Sequence, residues 1–471
     1  MVFASPVFLF VFFPVFLLLY RLLPAKARPY WLLAGSLVFY FWGEPVYVLL
    51  MVAAILITWA AGYAASVLKD RGKEKGAGLV TALGILLILS SLVYFKYSTF
   101  LLTTLKELFH AKRWRIASVI MPIGISFYTF QAMSYLWDVR RGKVQAIRNP
   151  FKLGAYISMF PQLIAGPIVR AGDITANLDA PQMSLEATWH GMLRFIRGLG
   201  KKVILANTLA AAVEKTSYLP ADEFSAGLLW LITVCYAFQI YFDFSGYSDM
   251  AIGMGEILGF RFPENFRFPY AASSVRDFWR RWHMTLSSWL RDYVYIPLGG
   301  NRKGLFRTYL NLLIVFLVCG FWHGASWNFV LWGLWYGVWL ILERIPAVDR
   351  LLKKIPGIIR WVFTMTVVLL GWVLFRNMKP DVTLHFLRGM FTGNQYVNYT
   401  ALSILSVKMI IVLAASVLLA SPLAGKVLEK AEASGKTGVM ILRSVLALAV
   451  LAVCILLLMS DTYNPFIYFR F

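Results

Sequence analysis

The chain has 471 residues, 59% of them hydrophobic and 15% charged, with a formal net charge of +23. Soluble domains hold about 45–50% apolar and about 25% charged residues, so a soluble globular enzyme is excluded. No nucleic-acid motif accompanies the positive charge, which is accounted for by Lys and Arg collected in the cytoplasmic loops of a membrane protein.

A bilayer-crossing helix needs about 20 apolar residues. From the N-terminus, runs at 3–20, 30–43, 46–67, 78–95 and 117–137 predict the first five helices. The run 3–20 is too long, and too poor in basic residues at its start, for a cleavable signal, so it is read as a retained helix. Residues 97–116, with Lys106, Lys112, Arg113 and Arg115, predict an amphipathic interfacial segment. The middle of the chain is less regular. Segment 150–169 is broken by Pro161, Gly166 and Pro167, segment 186–213 mixes Arg194, Arg197, Lys201 and Lys202 with apolar residues at helical spacing, and segment 244–300 is rich in aromatic residues, Gly and charge. Irregular backbone at membrane depth survives only where protein or a water-filled cavity surrounds it, so these interruptions point to a lined pocket. Further helices are predicted at 226–243, 308–323, 326–342, 359–376, 405–424 and 440–459. The fold class is therefore an all-α polytopic membrane protein, one integral domain over 1–471 made of N-terminal helices (1–137), a core (138–345) and C-terminal helices (346–471). Basic clusters at 21–28, 69–76, 138–152, 276–307, 343–360 and 425–443 fall on one side, the cytoplasm, which turns both termini outward.

His323 is the most informative residue. It ends the apolar run 308–323 in Phe321-Trp322-His323-Gly324. An ionisable side chain there is costly and is a functional candidate by default, and imidazole is the group best suited to proton transfer near neutral pH. His283 lies 40 residues upstream in Arg280-Arg281-Trp282-His283, and the chain has only five His. His110, His190 and His385 read as surface or interfacial residues. Segment 261–310 carries nine Lys and Arg against three Asp and Glu, interleaved with aromatic residues. It reads either as an interfacial belt of snorkelling Arg or as a funnel for an anionic donor, with Arg276, Arg280, Arg281, Arg291, Asn301 and Arg302 as the candidate contacts. The Gly299-Gly300-Asn301-Arg302 turn offers backbone N–H groups as a weak phosphate signal. In 239–250, Tyr241, Asp243, Ser245 and Asp249 stand in an apolar context. A buried carboxylate must be paired or neutralised, so these Asp either pair internally with Arg or orient a histidine. Cys235, Cys319 and Cys454 fit no zinc spacing, and no metal site is expected.

The motifs taken together resemble the membrane-bound O-acyltransferases, in the bacterial branch that acylates cell-envelope and secreted polysaccharides. The pattern follows alginate O-acetylation most closely and teichoic acid D-alanyl transfer more distantly. The likeness runs through Met1-Val2-Phe3-Ala4-Ser5, Phe160-Pro161-Gln162-Leu163-Ile164-Ala165-Gly166-Pro167 and Tyr241 to Asp249. It continues in Pro263-Glu264-Asn265-Phe266, Asp277-Phe278-Trp279-Arg280-Arg281-Trp282-His283, Trp289-Leu290-Arg291-Asp292-Tyr293 and Trp322-His323-Gly324. It implies a ring of about eleven transmembrane helices around a thin centre pierced by a tunnel. In it, His323 is the catalytic histidine, His283 a second histidine toward the cytoplasmic entrance, and Tyr241, Asp243, Ser245, Asp249, Trp282, Asp292 and Trp322 support the tunnel. The ending Asn464-Pro465-Phe466-Ile467-Tyr468-Phe469-Arg470-Phe471 is similar to a terminal motif of this branch in which a tyrosine relays the acyl group, here Tyr468. The resemblance further implies a bacterial inner-membrane location, no permanently bound cofactor, and acetyl-coenzyme A or a carrier-protein thioester as donor. Its implied partners are the lipid bilayer, an extracytoplasmic SGNH-type acetyltransferase and a polysaccharide acceptor, with no nucleic acid. D-alanyl transfer to teichoic acid remains an alternative, as does a transporter or flippase of envelope precursors, although the two halves show no convincing repeat.

Overall fold

The computed structural model describes residues 1–460 apart from 112, 218, 220, 378 and 395. Among the described residues it is helical, with no strand and an isolated bridge between Phe224 and Tyr399. Among the described residues, six helices are long and apolar enough to cross a membrane, or seven if the pair Val407–Leu419 and Pro422–Ala433, bent by 67°, counts as one span. The protein is a multi-pass membrane protein. The chain forms two compact units, residues 1–195 with 248–263 and residues 196–247 with 264–471.

The first unit contains α1 (Phe8–Leu22), α2 (Arg28–Gly43), α3 (Val48–Asp70), α4 (Glu74–Leu108) and α5 (Ile125–Arg141). Small residues set how closely α3, α4 and α5 approach. A Cβ on Gly62 would lie 2.9 Å from the Tyr135 ring, and one on Gly84 would lie 2.7 Å from the Ala61 Cβ. Such contacts drive helix association where lipid removes the hydrophobic difference between inside and outside. Two expectations are corrected here. Residues 98–108 are not a separate interfacial segment but prolong α4 beyond a π-helical turn at Val93–Tyr97. The run 117–137 is helical only from Ile125, because residues 114–122 lack regular structure and Gly124, at φ +78°, starts the helix. The break expected in 150–169 is present. Helix Pro150–Ser158 opens on Asn149, whose side chain accepts from the Phe151 and Lys152 N–H groups, and it ends at Met159 before Pro161.

The boundary between units falls within α6 (Leu185–Gly200) and α7 (Ala226–Leu258). The second unit adds the short α8 (Val275–Trp279) and α9 (Met284–Leu290), then α10 (Gly304–His323), α11 (Trp327–Leu342) and α12 (Gly357–Arg376). It ends with α13 (Val407–Leu419), α14 (Pro422–Ala433) and α15 (Thr437–Ser460). Helices α10 and α11 form a tight hairpin. A Cβ on Gly320 would fall 2.2 Å from the Phe329 carbonyl oxygen, and one on Gly333 would fall 2.4 Å from that of Phe316. Across α11, Gly371 of α12 makes room for the Tyr336 hydroxyl. This glycine-lined crossing fixes the end of α10, where His323 stands.

Candidate active site

His323 is the last residue of α10, and Gly324 leaves the helix in an extended conformation. A Cβ on Gly324 would lie 2.1 Å from the Phe329 ring, so the hairpin tip accepts no larger residue there without moving that ring. The imidazole is 4% exposed. Three rings meet it nearly edge to face: Trp322 at 4.9 Å, Trp332 at 5.1 Å and Phe375 at 5.1 Å between centroids. Phe329 in turn meets Phe375 at 5.1 Å. The side chain best suited to move a proton is thus held in an aromatic cage with little access for water.

His283 reaches the same cage from a different part of the chain. Helix α8 starts on Ser274, whose hydroxyl accepts from the Asp277 N–H at 3.0 Å. The Glu343 carboxylate accepts from the N–H groups of Val275 at 2.6 Å and Arg276 at 2.9 Å, and the Arg276 guanidinium donates to the Glu343 carbonyl at 2.8 Å. These bonds satisfy donors that a helix N-terminus leaves open. Burial pushes the Glu343 pKa up, against the opposing pull of the two backbone N–H groups. After α8 the chain turns sharply, and His283 caps α9 at φ +44°, ψ +54°. A non-glycine residue in this left-handed region is uncommon and persists where its surroundings hold it.

Asn265 supplies that hold. Its carbonyl accepts the Met284 N–H at 2.9 Å, and its Oδ1 accepts from the Thr285 N–H at 3.3 Å and the Thr285 hydroxyl at 2.9 Å. The same Oδ1 lies 3.1 Å from His283 Nδ1. The His283 ring is fully buried against Phe244 at 4.7 Å and Trp322 at 6.1 Å, and burial pushes its pKa down. The Trp322 indole therefore touches both histidines. Trp282 adds a second wall, packing on Phe278 at 5.6 Å and on Trp372 at 4.8 Å, and Trp372 leads to Phe375 at 5.6 Å.

The remaining expected residues separate by what they touch. Tyr241 lies in the aromatic cluster with Phe266, Tyr270 and Trp282, and the Ser245 hydroxyl is buried. Asp243 pairs with Lys202 Nζ at 2.7 Å, both side chains almost fully buried. Asp249 pairs with Arg194 at 3.1 Å. Among the basic residues, Arg276 serves Glu343, Arg281 pairs with Asp277 at 2.9 Å and Arg291 with Asp292 at 2.7 Å. Arg280, Asn301 and Arg302 are exposed, with no ion pair for either arginine among the described residues. The Gly299–Gly300 turn does not present a cradle of free N–H groups. Gly299, Gly300 and Arg302 donate to Ile296, Tyr295 and Gly299, and the glycines are needed for φ values of +104° and +56°. Tyr468 lies outside the described residues.

Residues 36–375 match the MBOAT, membrane-bound O-acyltransferase family. The chain belongs to this family. It is an O-acyltransferase. The acyltransferase is 38% identical, over the whole of both chains, to a protein of Azotobacter vinelandii called Probable alginate O-acetylase AlgI. It is 35% identical to the Peptidoglycan O-acetyltransferase of Helicobacter pylori, over 83% of this chain and 80% of that one. It is 26% identical to the Teichoic acid D-alanyltransferase of Bacillus subtilis, over 64% and 84% respectively.

Four polar residues of the acyltransferase escaped the sequence reading as partners of the expected residues: Asn265, Glu343, Lys202 and Arg194. Asn265 was visible only as part of a motif, and Glu343 only as a lone acid after an apolar run. Lys202 and Arg194 were visible as charges in an amphipathic segment. Nothing in a linear sequence announces their partners, which lie 18, 68, 41 and 55 positions away.

Proposed function

We propose that this acyltransferase passes an acetyl group from a cytoplasmic thioester, acetyl-coenzyme A or a carrier-protein thioester, toward an extracytoplasmic polysaccharide. An SGNH-type partner acetyltransferase outside the membrane completes transfer to the sugar. In this reading about eleven transmembrane helices ring a thin centre with a tunnel through it, in the bacterial inner membrane, and both termini face outward. The observation that carries it is the shared aromatic cage of His283 and His323. The names of the acetylating relatives, their higher identity and the larger share of this chain that they match support acetyl over D-alanyl as the group moved.

The problem to be solved is topological. Coenzyme and carrier are too large and charged to cross, whereas an acetyl group passes if donor and acceptor meet inside the membrane. The donor docks at the basic face, where Arg280 and Arg302 are exposed and unpaired among the described residues, with Arg276, Arg281, Arg291 and Asn301 around them. His323 takes the proton of the attacking hydroxyl, the oxygen–carbon bond forms, and the carbon–sulfur bond breaks. The imidazolium then returns its proton to the leaving thiolate. A positioned base of this kind contributes about 10²–10⁴-fold. His283 positions the donor or serves the leaving sulfur. The first acceptor is Tyr468, whose aryl ester stays reactive enough to pass the group on, or a hydroxyl of a partner or polymer. Asp243 supports the site through its ion pair with Lys202.

In cells lacking the native copy, His323→Ala abolishes polymer acetylation while the protein still accumulates in the membrane; retained acetylation overturns the reading. Tyr468→Phe keeps the ring and removes the hydroxyl, so unchanged acetylation rules out the relay. Inverted vesicles supplied with labelled acetyl-coenzyme A or with a D-alanyl carrier protein identify the donor by which label leaves it. Transport without consumption of either donor would favour a flippase.

A further inference from the structure

Three contacts around His283 determine where its proton sits. The backbone N–H of Thr285 points at the terminal atom of the Asn265 side chain, 3.3 Å away. A backbone N–H only donates, so this atom is the amide oxygen and the orientation of the amide is settled. The same oxygen lies 3.1 Å from His283 Nδ1. A carbonyl oxygen only accepts, so Nδ1 carries a hydrogen. The ring is fully buried, contacts aromatic rings and is neutral, as burial disfavours its charged form. A neutral imidazole has one N–H. Nε2 therefore holds a lone pair, and it is buried with no hydrogen-bond partner among the described residues. A buried polar atom left open calls for an explanation.

We infer that Asn265 is a positioning residue that locks His283 in its Nδ1–H tautomer, so that His283 Nε2 is a hydrogen-bond acceptor for the thioester donor and not the acid that protonates its leaving sulfur. This deepens the proposed function and depends on the reading of His283 as part of the donor's path. Coenzyme A and carrier proteins both present the thioester on a pantetheine arm, whose secondary amides offer the N–H groups that a lone pair in an aromatic cage selects. In its resting form His283 has no proton to give from Nε2. The proton on the departing thiolate is then the one His323 took from the hydroxyl, and the step balances without a second acid. The left-handed backbone at His283 fits the same picture. Asn265 accepts the N–H groups of both Met284 and Thr285, so the strained turn and the tautomer are fixed by one side chain and its own carbonyl.

The test uses the full chain in nanodiscs with ¹⁵N-labelled histidine, and the His283 signals are assigned by their loss in His283→Gln. The expected spectrum at neutral pH shows protonated Nδ1 and bare Nε2. An Nε2–H or doubly protonated ring overturns the inference whatever the activity. Asn265→Leu lowers kcat/KM by roughly 10–100-fold, the scale on which losing the group that orients a functional histidine is felt, and it mixes the tautomers. Asn265→Asp keeps an acceptor at Nδ1 and restores activity. Its carboxylate stabilises the imidazolium, so the acid limb of the pH–rate profile moves to higher pH. An unmoved acid limb in Asn265→Asp shows Asn265 to be merely structural and overturns the proposal. Full acyl transfer by His283→Gln would remove His283 from the donor path while leaving the tautomer standing, which separates failure of the functional reading from failure of this inference.

Discussion

The Lys202–Asp243 pair makes a quantitative prediction about what holds the second unit together. Lys202 sits in a π-helical turn, Lys201–Ala206, and Asp243 on α7, with Nζ and Oδ1 2.7 Å apart. Both side chains are about as buried as any charge in the described residues, at 5% and 3% exposure. At an effective dielectric of about 20, two unit charges at this distance attract by about 6 kcal/mol. Most of that is cancelled by the cost of taking both ions out of water. Removing one partner leaves the cancelling cost without the attraction, so Lys202→Met or Asp243→Leu alone should destabilise the fold by about 3–5 kcal/mol. The double variant Lys202→Met/Asp243→Leu replaces the pair with apolar groups of similar volume and should fall within about 1 kcal/mol of the native protein, or exceed it. SDS-driven unfolding in mixed micelles, run as a double-mutant cycle, measures the coupling. Single variants that lose less than about 1 kcal/mol, or losses that add in the double variant, would refute the view that the buried pair is one energetic unit.

Further outcomes follow from the site. Gly320→Ala drives a Cβ into the Phe329 carbonyl and should cost the α10–α11 hairpin its assembly, read as lost yield of folded protein. Gly357→Ala, with no heavy atom within 4 Å of its Cβ, should be silent. Gly324→Ala should instead leave a folded protein with depressed kcat, because it displaces Phe329, which packs on Phe375 against His323. Glu343→Gln sets an amide N–H against a helix N–H and should cost about 1–3 kcal/mol. The folded protein holds the Glu343 proton more tightly than the unfolded chain does. The stability this group confers is therefore complete below the ordinary carboxylate value of 4.5 and declines as pH rises through its raised value, a slope that thermal unfolding should show lost in Glu343→Gln. Arg280→Ala/Arg302→Ala should raise KM for the anionic donor and weaken its salt dependence with kcat little changed, measured as initial rates in inverted vesicles. Arg276→Ala should act on stability, since its guanidinium is committed to Glu343.

Much of the framework was legible in the sequence because it depends on local properties. Each of the apolar runs holds a helix, although the first part of 117–137 lacks regular structure and 98–108 prolongs α4, because hydropathy reports burial or lipid contact and not where helical hydrogen bonding begins. His323 could be singled out because an imidazole in an apolar run is costly wherever that run lies. The basic cluster was visible as a charge count, but a count does not say which cation is already paired. Arg276, Arg281 and Arg291 have partners, and Arg280 and Arg302 are left exposed. The composition of the glycine turn suggests free N–H groups, but those of Gly299, Gly300 and Arg302 are bonded within the turn.

The sequence alone determined that this is a multi-pass helical membrane protein and an O-acyltransferase, and it named both histidines. Composition, the spacing of apolar runs and short contiguous motifs are properties of the chain itself. The tertiary structure decided that Trp322 touches both histidines, that Asn265 faces His283 Nδ1, and that Asp243 takes a lysine where an arginine had been expected. The place of Trp322 depends on how helices cross at Gly320, Gly333 and Gly371, and the Lys202–Asp243 pair on the close approach of Gly246 to Lys202. Such crossings bring together residues tens of positions apart, and no local pattern in the sequence encodes which faces meet.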